Sequence, residues 1–152
     1  MSGLHLDEKL GVPLFVGVAV FVAFLFLTPA SFWFKVDRLD VQDAATWQDI
    51  TIDYARTINR DFEGQWRATV RQETAEGWQL VCSTQWQPQD YQTDAVLPDP
   101  VTLQWLVWTE PDCYQLGQGR YEVRVTWDIN PGSWIFGRKV TRTDTFMIFG
   151  AS

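Results

Sequence analysis

The chain has 152 residues, a single histidine, two cysteines and a formal net charge of −7 at pH 7. All of this charge lies after residue 35, where 17 acidic residues outnumber 10 basic ones. Such a surface repels phosphate backbones, so the sequence predicts no nucleic-acid partner. The length beyond residue 35 is enough for one domain with a modest hydrophobic core.

Residues 10–34 form an uncharged, apolar run between Lys9 and Lys35. About 20 apolar residues in helical form cross the hydrocarbon core of a bilayer. The sequence therefore predicts a short cytoplasmic segment over 1–9 and a transmembrane helix over 10–34 that contacts membrane lipid. Ala19 and Ala23 have the spacing of a helix-packing pair, although they could equally face lipid.

A cleaved signal peptide is the alternative interpretation, with a small-residue cleavage site at residues 28–30 (TPA). Asp7 and Glu8 argue against it, because the region that precedes the apolar core of a signal peptide is positively charged. The aromatic residues at 32–34 are also of the kind favoured at a membrane–water interface. We therefore expect a retained, single-pass anchor.

Alternation of apolar and polar residues follows the anchor and predicts half-buried antiparallel strands. The clearest case is 121–129 (YEVRVTWDI), in which five apolar residues alternate with four polar ones. Weaker alternation marks 39–41, 50–54, 66–70, 78–82, 101–107 and 146–149. About seven short strands over 36–152 predict an all-β fold, an antiparallel two-sheet sandwich. Residues 83–99 are predicted to form a loop, and only 43–49 could hold a helical turn.

Cys82 and Cys113 are the only cysteines. Two cysteines in an extracytoplasmic β-domain usually form a disulfide, whereas two buried thiols would suit a cytoplasmic domain. The positive-inside rule does not fix the orientation, because Lys9 and the α-amine flank one end of the anchor and Lys35 and Arg38 the other. The cysteine pair and the β-rich domain favour an orientation with the N-terminus inside and the C-terminal domain outside the membrane.

Residues 116–123 (LGQGRYEV) resemble the tyrosine corner of immunoglobulin-like and fibronectin-type β-sandwiches. In that motif a leucine and a glycine precede a tyrosine that opens a strand, and Leu116, Gly119 and Tyr121 match those positions. The resemblance implies an Ig-like topology and a tyrosine hydroxyl bonded to nearby backbone. The chain departs from the antibody pattern, because Val123 stands where the second cysteine would be and Cys113 precedes the motif.

A looser resemblance links the chain to small single-pass membrane proteins of bacteria and their phages. It rests on the N-terminal anchor, residues 56–59 (RTIN), residues 62–66 (FEGQW) and the two cysteines. This second resemblance implies no activity.

Residue types typical of catalysis and metal binding are sparse. His5 is the only histidine and lies across the predicted helix from the β-domain, which excludes a histidine-based triad or zinc site there. A weaker alternative is a Ca²⁺ site, for which the candidate ligands are Asp90, Asp94, Asp99 and Asp112. The sequence predicts no catalytic residue, no metal and no cofactor.

Eight of the nine tryptophans follow residue 35. Trp66, Trp105 and Trp127 fall on the apolar sides of predicted strands, where we expect a core position. The remaining candidates fall in loops or on the opposite side of a strand and are predicted recognition residues: Trp86, Trp108 and Trp134. Exposed tryptophan is favoured at recognition surfaces, although packing against a loop or the membrane would also account for these three.

The predicted function is that of a membrane-anchored, non-enzymatic interaction or accessory protein that binds a protein partner. Glycan binding through the same tryptophans is the alternative. Hydrolysis by an acidic pair is the least favoured hypothesis, because sequence alone does not bring two carboxylates together in a cleft.

Overall fold

The computed structural model describes residues 8–130 and 137–150. Helix α1 covers Glu8–Leu27 and is followed by a 3-10 turn over Ala30–Phe32. Pro29 has no backbone N–H and cannot continue the helix, which accounts for the break. The large apolar side chains described along α1 are exposed on every side of the helix, with Phe15 75% exposed and Leu27 77% exposed.

The prediction of a transmembrane helix over residues 10–34 is corrected by the structure. In the part of the chain that is described, no helix has the length and apolar character needed to cross a membrane. The apolar run is divided between α1, the 3-10 turn and the first strand. Trp33 and Phe34, which we expected at a membrane interface, are buried in the β-domain with 5% and 1% exposure. An uncharged, apolar run does not show where a helix ends and a buried strand begins. The prediction over residues 10–34 therefore included both α1 and the start of the first strand.

The end of α1 is fixed to the β-domain by side chains from distant parts of the chain. Arg138 donates hydrogen bonds from Nη2 to the carbonyl of Phe26 at 3.1 Å and from Nε to the carbonyl of Thr28 at 3.4 Å. Asn59 donates from Nδ2 to the carbonyl of Ser31 at 2.9 Å. A guanidinium at a helix C-terminus also interacts favourably with the helix dipole.

Nine strands follow in the described part of the chain, seven of them five residues or longer. They are β1 Phe34–Val41, β2 Ala44–Ala45, β3 Thr51–Ile58, β4 Phe62–Thr74, β5 Gly77–Ser83, β6 Gln87–Tyr91, β7 Val101–Thr102, β8 Gly119–Asn130 and β9 Arg138–Phe149.

The strands form two sheets, which confirms the predicted all-β, two-sheet fold. The smaller sheet has the order β1-β3-β7, and the larger has the order β2-β9-β8-β4-β5. Strand β6 pairs with residues 62–66 of β4, while β5 pairs with residues 69–74 of the same strand on the same side. Neighbours pair antiparallel except β2 and β9, which are parallel.

The core lies between the two sheets, and β8 confirms its predicted alternation. Its inward residues are all at most 3% exposed: Tyr121, Val123, Val125, Trp127 and Ile129. The inner face of β4 contributes Ala68 and Val70, both fully buried. Of the three tryptophans expected in the core, Trp127 is buried, Trp66 is half-buried and Trp105 is 41% exposed.

Trp105 is exposed because residues 101–107 do not form the predicted strand. The two-residue strand β7 is followed by a short helix, α2, at Leu103–Leu106. The Thr102 hydroxyl accepts a hydrogen bond from the Trp105 amide at 3.1 Å and caps this helix. The buried residues Leu103, Leu106 and Val107 have helical spacing, so the apolar string fits both periods.

Two shorter predictions are also corrected. Residues 83–99 are not all loop, since they contain β6. Residues 43–49 contain the strand β2 and a turn in which the Gln48 amide donates to the Ala45 carbonyl at 2.9 Å.

The sandwich has two different sides. On the closed side, where β1 runs beside β9, the Val41 amide donates to Asp144 Oδ2 at 2.7 Å. Arg142 Nη2 donates to the Val36 carbonyl at 3.3 Å on the same side. On the open side, the Arg56 guanidinium of β3 lies over the Tyr91 ring of β6, and the Cys82–Cys113 disulfide ties the segment 92–118 to β5.

Candidate functional site

Two of the three predicted recognition tryptophans, Trp86 and Trp108, belong to the part of the chain that the structure describes. Trp108 follows α2 and is 66% exposed, whereas Trp86 precedes β6 and is half-buried. No ring contact joins Trp86 to Trp108 within the residues described. Trp134 lies outside the described residues.

Strand β5 ends the larger sheet, and its outer edge has no partner strand in the described part of the chain. We call residues 77–81 of this strand the β5 edge. It exposes three large apolar side chains, with Leu80 64% exposed and Trp78 and Val81 each 38% exposed. A free edge also presents unpaired backbone N–H and C=O groups to any extended chain that approaches.

A tight hairpin sets the register of the β5 edge. Thr74 of β4 is paired with Gly77 of β5, which leaves a two-residue turn at residues 75–76. Gly77 has a φ of 107°, a conformation that glycine adopts without strain. The Thr74 hydroxyl donates to the Gly77 carbonyl at 2.9 Å. Residues 75–76 therefore form a tight turn that fixes how β5 pairs with β4.

Several other outer edges in the described chain carry features that discourage pairing. Strand β6 has Pro88 in its middle, and proline cannot donate to a ladder. Strands β2 and β7 are only two residues long. Strand β1 exposes charged side chains and runs beside β9 on the closed side. These are the usual protections of edge strands, and the β5 edge lacks charge and proline alike.

Trp86 lies against the outer face of the larger sheet. The guanidinium carbon of Arg67 is 4.9 Å from its ring centroid, and Lys139 Nζ is 5.9 Å away. Both cations lie within the range of attraction to an aromatic face. One face of the indole is therefore occupied by side chains of β4 and β9.

A polar groove of about 420 Å³ lies on the same outer face, beside Arg67 and Lys139 along β4 and β9. Its lining residues are Glu63, Gly64, Gln65, Pro88, Asp128, Asn130 and Gly137. Gln65 Nε2 donates to Asp128 Oδ2 at 3.3 Å, which links β4 to β8 across the groove floor. Gly64 is needed there, since a Cβ at this position would lie 2.8 Å from the backbone carbonyl oxygen of Asp128.

Cys82 and Cys113 form a disulfide, as predicted, with their Cα atoms 5.4 Å apart. Cys113 belongs to a 3-10 turn over Pro111–Cys113 and is fully buried. Cys82 lies on β5, so the bond ties the segment on the open side to the edge strand of the larger sheet. It does not bridge the centres of the two sheets.

The residues that resemble a tyrosine corner have well-defined contacts. The Tyr121 hydroxyl donates to the Gly117 carbonyl at 3.0 Å, and the Tyr121 ring stacks on Phe146 with centroids 5.7 Å apart. Leu116 is 7% exposed and Gly119 has a φ of 154°. Burial raises the pKa of the Tyr121 hydroxyl, which keeps it a neutral donor at physiological pH.

Acidic residues do not converge on a metal site in the part of the chain that is described. No group of three or more histidine, cysteine, aspartate or glutamate residues is placed to hold a metal ion there. The calcium alternative is therefore corrected: its four aspartates, at 90, 94, 99 and 112, are separated. His5 lies outside the described residues.

The sequence reasoning missed the exposure of the β5 edge. Residues 78–82 were predicted as a strand, and this is confirmed, but alternation alone does not tell an edge strand from a central one. The charge-free stretch from Gly77 to Ser83 next to a hairpin turn was the available signal.

Comparison of the chain with protein-family models, with curated proteins and with solved structures gave no match.

Proposed function

We propose that this chain is a non-enzymatic, membrane-associated interaction protein that binds an extended segment of a protein partner at the β5 edge. The observation that carries the proposal is the combination of an unpaired strand edge with the exposed side chains of Trp78, Leu80 and Val81. Strand addition to such an edge uses main-chain hydrogen bonds for affinity and side-chain contacts for selectivity.

The energetics favour strand addition at this edge. Each backbone hydrogen bond formed contributes roughly 0.5–1.5 kcal/mol net. Covering apolar surface contributes about 25 cal/mol per Å², so burying the Leu80 side chain adds on the order of 1 kcal/mol. Arg120 lies over the Trp78 ring at 6.0 Å and pairs with Glu73 at 3.3 Å. These contacts hold the indole in place before a partner arrives, which lowers the entropy lost on binding.

Membrane association is the second part of the proposal, and it concerns the apolar run over residues 10–34, chiefly α1. Apolar side chains exposed on every side of a helix are unfavourable in water and require an apolar surrounding. Lipid supplies that surrounding without a defined partner surface, which suits a helix with no single apolar stripe.

The location we propose is a bacterial inner membrane, with the β-domain in the periplasm. The disulfide supports an oxidising compartment, since such bonds are rare in reducing ones. The hydrogen bond from Tyr121 to Gly117 supports the finer description of the sandwich as Ig-like.

Site-specific photocrosslinking tests the β5 edge. A photoreactive amino acid at Leu80 of the full chain, in native membranes, should give an adduct with one defined protein. The matched control is the same probe at Val96, which is 91% exposed but lies in a loop. Val81→Lys should remove the adduct formed at position 80, because a charge on an edge strand opposes pairing.

The outcomes separate the possible occupants of the edge. An adduct with a second copy of this chain would mean that the β5 edge serves self-association and does not bind a different protein. Equal adducts at positions 80 and 96, or an adduct that survives Val81→Lys, would contradict the proposal.

Flotation with phospholipid vesicles tests the lipid contact. The full chain should float with vesicles, and Phe15→Glu combined with Val18→Glu should reduce the floating fraction several-fold, because buried charges in lipid are costly. Val96→Glu adds a charge to an equally exposed apolar position of the β-domain and should leave flotation unchanged. Flotation that is insensitive to the helix substitutions would contradict the lipid contact.

Glycan binding at the polar groove is a second candidate. It is favoured by the amide and carboxylate side chains of Gln65, Asn130 and Asp128, which line the groove. A glycan array probed with the full chain should give binding that Gln65→Ala weakens and Trp108→Ala does not. An array without signal would leave the β5 edge as the single proposed site.

A further inference from the structure

A second polar cluster lies on the open side, between β3 and β6. Three of its buried polar atoms have no hydrogen-bond partner in the described part of the chain: the hydroxyls of Tyr54 and Tyr91, and Nε of Arg56. Buried polar groups are nearly always paired in native proteins, so such a cluster calls for an occupant.

The geometry holds these groups together and fixed. The guanidinium carbon of Arg56 lies 5.3 Å from the Tyr91 ring centroid and 5.9 Å from that of Tyr54. The Tyr54 ring stacks on Trp127 with centroids 6.0 Å apart, and the Tyr91 ring stacks on Phe62 at 4.6 Å. Tyr91 is only 1% exposed, so its hydroxyl has no access to bulk water.

The charges of the cluster are unbalanced. No carboxylate of the described residues lies within 4.0 Å of the Arg56 guanidinium. Burial raises the pKa of Tyr54 to about 12 and raises that of Tyr91 still further above its ordinary value. Both phenols are therefore neutral at physiological pH, and the cluster keeps one uncompensated positive charge.

An opening leads to Tyr54 and Arg56, the two members of the cluster on β3. A cavity of about 320 Å³ is lined by Tyr54, Ala55, Arg56 and Ile58 of β3 and by Thr93, Ala95 and Leu97 of the segment that follows β6. Its lining beside Arg56 is both polar and apolar, and the low dielectric of a partly enclosed site strengthens a hydrogen bond to an anion that enters.

We propose that Tyr54, Arg56 and Tyr91 form a binding site for a single carboxylate group. Its oxygens would accept hydrogen bonds from Arg56 Nε and from the two hydroxyls. A carboxylate carries one negative charge, which matches the one guanidinium, whereas a dianion would remain half uncompensated. The carboxylate belongs either to a small molecule or to a polypeptide, and the proposal does not rest on the β5 edge.

Nuclear magnetic resonance of the full chain in a non-ionic detergent tests this site. Sodium acetate, titrated against sodium chloride at constant ionic strength, should shift the Arg56 Nε–H resonance and the Thr93 amide in a saturable manner. A short peptide with a free C-terminal carboxylate and the same peptide with an amidated end form the second arm. If the free-acid peptide binds at least about tenfold more tightly than acetate and the amide does not bind, the natural carboxylate comes from a polypeptide.

Arg56→Gln should abolish the saturable shift at Thr93. Tyr91→Phe, which keeps the ring, should weaken acetate binding by about tenfold, because it removes one hydrogen bond to a charged acceptor. Arg124→Gln is the matched control: Arg124 Nε is also buried without a partner, but its Nη2 lies 3.5 Å from Glu122 Oε1. This variant should bind acetate normally.

Two results would overturn the proposal. One is a Thr93 shift that rises linearly with either salt, which would mean that water satisfies the three polar atoms. The other is an acetate affinity that Tyr91→Phe leaves unchanged, a test that holds even if Arg56→Gln fails to fold.

Discussion

The closed and open sides of the sandwich differ in how their polar groups are paired by hydrogen bonds. On the closed side, charged side chains of β9 bond to backbone groups of β1, with Asp144 accepting from the Val41 amide at 2.7 Å. On the open side, the space between β3 and β6 holds the unpartnered polar atoms of Tyr54, Arg56 and Tyr91. The closed side is complete within the chain, while the open side has groups that a ligand or partner can satisfy.

The two sides therefore differ in whether their polar groups are paired within the described chain. Hydrogen bonds between the two sheets stabilise the fold. Buried polar groups without a partner cost stability, but they can still bind a ligand. The disulfide compensates on the open side, because it fixes the segment that covers the gap.

Loss of the disulfide should have the largest effect on the open side. Cys82→Ser with Cys113→Ser opens a loop whose ends are 31 residues apart in sequence. On chain-entropy grounds the free energy of unfolding should fall by roughly 3–4 kcal/mol. Urea denaturation of the full chain in a non-ionic detergent measures this.

A reductant provides the control for this pair of substitutions. It should destabilise the wild-type chain by a similar amount and leave the double variant unchanged. A loss below about 1 kcal/mol would show that hydrogen bonds and packing already hold segment 92–118 in place.

Asp144→Ala should have the next largest effect, and it acts on the closed side. It leaves the Val41 amide without an acceptor and should lower the free energy of unfolding by about 2 kcal/mol. Asp144→Asn retains an acceptor oxygen and should cost less. Asp94→Ala, at an exposed aspartate, should change stability by under about 0.5 kcal/mol. If Asp144→Ala and Asp94→Ala changed the free energy of unfolding equally, the hydrogen bond to Asp144 would not stabilise the closed side.

Alkaline pH should weaken the open side selectively. The folded-state pKa of Tyr54 is raised to about 12 by burial, above its ordinary value near 10. Burial therefore favours the protonated form, and its contribution to stability is complete below about pH 10 and is lost as the pH rises towards about 12. Tyr91 acts in the same direction. Ultraviolet absorbance of tyrosinate should show Tyr54 and Tyr91 among the late-ionising tyrosines, and Tyr54→Phe should remove one late-ionising group.

Tyr91→Phe should have the smallest effect on stability. Unlike Asp144→Ala on the closed side, it should not lower the free energy of unfolding. The substitution removes a buried hydroxyl without a partner, so the free energy of unfolding should stay the same or rise by up to about 1 kcal/mol. Thermal unfolding in chloride, without carboxylates, measures this. A loss above about 1 kcal/mol would mean that the hydroxyl is already bonded inside the folded chain.

The sequence was sufficient for the strands whose two faces meet different surroundings. Strand β8 was predicted residue by residue, because its inner face is core and its outer face is solvent. The disulfide could be predicted as well, since only two cysteines exist. Residues 101–107 were mispredicted because Leu103, Leu106 and Val107 fit a helix while their neighbours fit a strand.

The candidate sites depend on contacts that lie far apart in the chain, which no local pattern contains. Tyr54 and Arg56 lie two residues apart on β3, and the local sequence does not distinguish them from other strand residues. Tyr91 belongs to a stretch that was predicted as a loop. Only the pairing of β6 with β4 brings Tyr91 beside Arg56. The β5 edge was predicted as a strand, but the order of strands in the sheet decides that it lies at the end.

The attachment of α1 determines how the domain would respond to its surroundings. Arg138 holds the last carbonyls of the helix, and the next aromatic side chains are already inside the core. The two parts thus meet without a slack tether, and any tilt or rotation of the helix is passed directly to β9. A protein bound to this domain as proposed would be held at a fixed distance and angle from the helix.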